Sequence, residues 1–119
     1  MATLIGKVYR GKIAAGAHAG INLPAVTQVA LGTGTTPWSA DDIALENEIA
    51  GTRKNIDSAT LNNLTVTVVA TVLGSEIGDA IVSEIAYYDS EGGFVAREVL
   101  KPKQFESETS IRIESHLQF

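Results

Sequence analysis

A chain of 119 residues, 45% apolar and 19% charged, is long enough for one hydrophobic core and too short for two, and its patterned apolar segments exclude wholesale disorder. The formal net charge of −5 is concentrated late: residues 61–119 carry nine acidic against four basic side chains, whereas residues 1–60 carry five of each. That balance argues against the clustered positive charge a nucleic-acid binder needs, the lack of cysteine removes disulfides and thiolate chemistry, and no run approaches the ~18 apolar residues of a membrane helix.

Residues 3–15 read ambiguously, because Leu4, Ile5, Val8 and Ile13 form a weak helical stripe while Gly6 and Gly11 weaken any helix. Lys7, Arg10 and Lys12 break any leader-like apolar run, so synthesis in a cytoplasm is expected. Residues 14–24 are small, glycine-rich and aperiodic, and read as a loop. Residues 24–31 make a first strand, broken at Gly32, Gly34 and Pro37. Ser39 then suits an N-cap and Asp41 and Asp42 a first helical turn, predicting one to three turns before Gly51.

From residue 62 onward β signals dominate. Residues 64–73 alternate, with Leu64, Val66, Val68, Ala70 and Val72 expected on a core face. A break at residues 74–78 precedes a strand over 81–88, a turn-rich hairpin loop at 89–93 and a return strand over 94–100. Lys101-Pro102-Lys103 reads as an interruption, and residues 110–119 alternate with Ile111, Ile113, Leu117 and Phe119 on one face. The expected fold is mainly β, an antiparallel sheet or sandwich with one or two short helices, forming a single domain over residues 1–119.

Little in the sequence suggests catalysis. Only His18 and His116 offer imidazoles, Gly74-Ser75-Glu76-Ile77-Gly78 lacks the nucleophile-elbow pattern, and the Gly32-Thr33-Gly34 turn has no phosphate-binding lysine. Asp41, Asp42, Glu46 and Glu48 lack the loop spacing of an EF-hand. No enzyme activity, metal or cofactor is expected. A second class, a carbohydrate-binding module, would stack a sugar on Trp38 beside Asp41 or Asp42.

The run Val29-Ala30-Leu31-Gly32-Thr33-Gly34-Thr35-Thr36-Pro37, followed by Asp42, Leu45 and Glu48 at three-residue spacing, resembles the N-terminal attachment domain of bacteriophage tail-collar and tail-fibre proteins. Residues 81–89, Ile-Val-Ser-Glu-Ile-Ala-Tyr-Tyr-Asp, followed by Gly92-Gly93-Phe94-Val95-Ala96, resemble that family's strand, acidic-glycine turn and return strand. The resemblance implies the anchoring part alone: a virion component, made in the host cytoplasm, that docks on other tail or baseplate subunits and forms a homo-oligomer, a trimer by analogy with fibres. A head or neck decoration protein is the neighbouring reading. Neither membrane nor nucleic acid is an expected partner. Leu31, Gly32, Gly34 and Pro37 are expected to shape the docking loop, and Glu84 and Tyr88 to supply polar or aromatic contacts near the hairpin.

Overall fold

A computed structural model describes residues 2–119. Its strands are β1 (Ala2–Leu4), β2 (Val26–Gly32), β3 (Lys54–Asn55), β4 (Ser58–Asn62), β5 (Thr65–Leu73), β6 (Ile81–Asp89), β7 (Phe94–Gln104) and β8 (Ser110–Gln118), with helices α1 (Lys7–Ala19) and α2 (Gly74–Ile77). They form two four-stranded sheets, ordered β1-β8-β5-β4 and β3-β2-β6-β7. All pairings are antiparallel except β1 with β8. The expected β-rich architecture is therefore the observed one, a sandwich with two short helices.

The period-two patterns explain how the layers meet. Val68, Ala70 and Val72 of β5 and Ile113 and Leu117 of β8 face Val29 and Leu31 of β2 and Ile85 and Tyr87 of β6 in one shared core. Tyr87 is fully buried, and its hydroxyl donates to Ser115 Oγ at 2.6 Å, tying the sheets together through a satisfied polar contact. Burial, offset in part by that hydrogen bond, pushes the Tyr87 phenol up to about 12.

Two segments change sheets and bridge the seams. β1 pairs with β8, after which Ile5 bridges Ala96 of β7 and the Gly6 amide donates to Val95 O at 3.0 Å. On the other side β3 pairs with β2, the Ile56 amide donates to Thr27 O at 2.9 Å, and the Asp57 amide then donates to Val69 O at 2.7 Å as β4 joins β5. Such corner strands close a sandwich without a hairpin.

Four sequence expectations are corrected. Residues 14–19 are helical rather than loop, because Ala14, Ala15, Ala17 and Ala19 favour helix strongly enough to carry Gly11 and Gly16. The helix ends at Gly20, whose φ of 69° is left-handed and whose amide donates to Gly16 O at 2.8 Å. It docks through buried Tyr9, whose hydroxyl donates to Pro24 O, and through Lys12 against Asp89. Residues 39–49 form no helix. Lys101-Pro102-Lys103 does not end β7: Glu84 pairs with Val99 and Val82 with Lys103, so residues 100–102 stand against Ser83 alone and the proline sits in a bulge. Leu64 lies in the turn between β4 and β5, and Leu64 and Phe119 are both exposed rather than in the core.

Candidate docking loop and the buried charges beneath it

The second sheet has an outer face as well, and residues 33–50 cover it. Ala30, Ala86, Tyr88 and Phe94 point outward from β2, β6 and β7 and pack with Leu45 of that loop in a separate small core. Amide and carbonyl groups of the loop extend the sheet: Ile49 N donates to Leu31 O at 2.8 Å and Thr33 N to Asn47 O at 2.9 Å, while Gly32 bridges Glu48. Buried Thr52 fastens the end of this addition, accepting from Leu31 N at 3.1 Å and donating to Ile49 O at 2.7 Å.

At the centre lies an ion pair. Glu84 of β6 is 0% exposed and Arg97 of β7 is 2% exposed, with Arg97 Nε donating to Glu84 Oε1 at 2.7 Å. The same carboxylate accepts from the amides of Gly34 at 2.8 Å, Glu46 at 2.9 Å and Asn47 at 2.8 Å, so four donors surround it. Arg97 reaches further into the loop, donating to Thr36 O at 2.9 Å and to Asp42 Oδ2 at 3.2 Å. Burial pushes the Glu84 carboxyl up, but hydrogen bonds from Arg97, Asn47, Glu46 and Gly34 outweigh it and hold the pKa below the usual glutamate value. Arg97 shows the same balance with opposite charge: desolvation opposes its ionised form, and Glu84 and Asp42 more than restore it.

These bonds explain why residues 39–49 are not helical. A buried carboxylate costs several kcal/mol of desolvation unless donors meet it. The Glu46 and Asn47 amides are given to Glu84, and the Glu46 side chain in turn accepts from the Thr35 and Thr36 amides and the Thr36 hydroxyl. Ser39 and Asp42 form a reciprocal turn, with Asp42 N donating to Ser39 O at 3.1 Å and Ser39 N donating to Asp42 Oδ2 at 3.0 Å. Tertiary demand for amide donors overrides the capping signals.

The six residues expected to serve docking thus fall into different places. Leu31, Gly32, Gly34, Glu84 and Tyr88 are buried, and only Pro37 is exposed. Glu84 and Tyr88 face the underside of the loop instead of an open surface, and the Arg53 guanidinium lies 3.7 Å from the Tyr88 ring centroid. Gly32 and Gly34 give the carboxylate room: a Cβ on Gly34 would lie 2.6 Å from Glu84 Oε2 and nearer still to Glu46 Cβ. We expect Gly34→Ala to destabilise the protein by about 1–3 kcal/mol in urea unfolding, the usual cost of overpacking.

Arg97, Thr52 and Asn47 were not anticipated as parts of this site. The one visible signal was a lone arginine in the apolar run Phe94-Val95-Ala96, thirteen positions after a lone glutamate in another. Asp41 pairs with Lys7 at 2.7 Å and Asp42 with Arg97, so both carboxylates beside Trp38 are engaged within the chain. His18 lies in the last turn of α1, and His116 lies on β8 with Nδ1 at 3.0 Å from Thr67 Oγ1. Among the described residues no group of three or more His, Asp or Glu is placed to hold a metal.

The geometry defines a class: a β-sandwich whose outer face carries a loop clamped by a buried ion pair. No family model, curated protein or solved structure matches the chain.

Proposed function

We propose that this chain is a bacteriophage virion structural protein, a small tail-fibre- or collar-like attachment subunit that works by docking on neighbouring tail or baseplate subunits. The observation that carries the reading is the clamped loop: Glu84 and Arg97 fix residues 33–47 from below while Thr35, Thr36, Pro37 and Ile43 remain exposed above. A loop ordered in advance loses little conformational entropy on association, which suits a part that must meet a partner repeatedly in one geometry. The ionised groups beneath it, Glu84 and Arg97, are engaged by internal partners, which suits a structural clamp. The resemblance of residues 29–37 and 81–96 to attachment domains points the same way.

Such a subunit forms a closed homo-oligomer, three-fold by analogy with fibres. Light scattering on the purified chain across micromolar concentrations should give a defined multiple of the 12.5 kDa mass. A monodisperse monomer throughout that range would contradict the reading.

A further inference from the structure

The two ends of the sandwich treat their edges differently. β7 closes the second sheet and carries Lys101, Pro102 and Lys103 toward its end, residues that discourage strand addition through charge and a missing amide. β4 closes the first sheet with Ser-Ala-Thr-Leu-Asn, all five exposed and none charged. In an antiparallel ladder alternate residues turn their N–H and C=O groups away from the partner strand. Among the described residues no segment hydrogen-bonds to that outer side of β4.

Beside this open edge runs a groove of about 360 Å³ whose lining includes Leu23, Val26, Leu61, Leu64, Val66 and Phe119. Leu61 is 72% and Leu64 71% exposed. Residues 58–73 contain no charged side chain, and neither do residues 20–28, two segments that supply most of the lining. For a molecule of net charge −5, two identical copies repel except where their facing surfaces are neutral. This neutral apolar edge meets that condition.

We propose that the occupant is a second copy of the chain, with β4 pairing antiparallel to β4 of its partner about a two-fold axis at Thr60. The short sequence is compatible with self-pairing: Thr60 stands opposite Thr60, Ala59 opposite Leu61 and Ser58 opposite Asn62. Threonine against threonine is a favourable cross-strand pair, and the apolar Ala59 and Leu61 side chains meet on the groove side. Joining the edges satisfies the outward backbone groups of both copies and makes one continuous eight-stranded sheet. This inference rests on the assembly reading and adds its contact: copies associate in even numbers, a dimer through this edge alone, or a hexamer where a three-fold ring also forms.

The chain lacks cysteine, so Thr60→Cys introduces a unique reporter. Strands paired at this position hold the two Cα atoms about 4.5–5.5 Å apart, within disulfide range. Mild oxidation should link most of the protein as a covalent dimer at micromolar concentration, while Ser110→Cys, exposed on β8, should not link comparably. Thr60→Lys should halve the mass seen by light scattering with an unchanged melting temperature, and mixing it with Thr60→Glu should restore the even-numbered species. A trimer alone, or an even-numbered species unaffected by Thr60→Lys and not linked by Thr60→Cys, would overturn the β4 contact while leaving the assembly reading intact. A wild-type monomer would remove both.

Discussion

Replacing Glu84 by glutamine is expected to destabilise the protein by about 3–5 kcal/mol, the range found when one member of a buried pair is removed. The change is nearly isosteric, so the loss comes from charge and hydrogen bonding rather than from a cavity. Arg97 keeps its full charge with a neutral amide at 2.7 Å in place of its main counter-ion. The new side-chain NH2 also takes one of the positions where the carboxylate accepts from Gly34, Glu46, Asn47 and Arg97, setting donor against donor. Urea unfolding measures the loss. Amide exchange should show residues 33–47 opening more readily than β5 and β8, because those two strands do not depend on the clamp. Glu46→Gln, on an exposed side chain, should cost far less.

The same carboxylate sets the acid limit of the fold. Glu84 binds its proton less readily in the folded chain than in the unfolded one, so its contribution is complete above the ordinary glutamate range near pH 4.3. It is lost progressively as pH falls through that value toward the lowered folded one. Asp89 adds a second component of the same sign: burial opposes its ionised form, but Lys12 and the amides of Gly93 and Glu91 more than compensate. Stability measured from pH 7 down to pH 3 should therefore fall in wild type, and fall less steeply in Glu84→Gln, which keeps the Asp89 component and those of Glu46 and Glu76, held low by Thr36 and Lys54 respectively.

What the sequence disclosed follows from where local pattern and tertiary environment agree. β5, β6 and β8 carry alternating or β-branched runs whose inner faces pack against the opposite sheet, so periodicity and burial coincide. α1 reads as undecided over residues 3–15 and as loop at its end because only Tyr9 on it is fully buried, and an alanine-rich helix held by so few anchors leaves only a weak apolar stripe. β4 left no pattern either, since all five residues face solvent. The loop over residues 33–50 was misread for a different reason. Its carboxylates have the spacing of a helix start, but the Gly34, Glu46 and Asn47 amides are claimed by Glu84, 37–50 positions away in sequence, and the Glu46 carboxylate is taken by the Thr35 and Thr36 amides instead of a helical first turn. Glu84 reads as a polar contact near the hairpin, and its role as a buried clamp becomes legible only when Arg97 is placed beside it.

The second large effect concerns Arg97 and separates a clamp from an ordinary buried salt bridge. A buried pair held only by its two members is often replaceable by apolar side chains at little cost, because the desolvation of both charges is relieved together. Arg97→Met alone should cost about 3 kcal/mol, since Glu84 keeps three amide donors while the Asp42 and Thr36 contacts are lost. If the pair were self-contained, Glu84→Met with Arg97→Met would return toward wild-type stability. Here the double change orphans the buried amide of Gly34, at about 1–3 kcal/mol, together with the part-buried amides of Glu46 and Asn47. The double variant is therefore expected to stay well below wild-type stability even though the unpaired charge is gone, with subadditive coupling in the cycle. Urea midpoints for the four proteins measure this directly. Recovery of the double variant to within about 1 kcal/mol of wild type would mean that the loop is held by its apolar contacts with Ala30, Tyr88 and Phe94 rather than by the carboxylate.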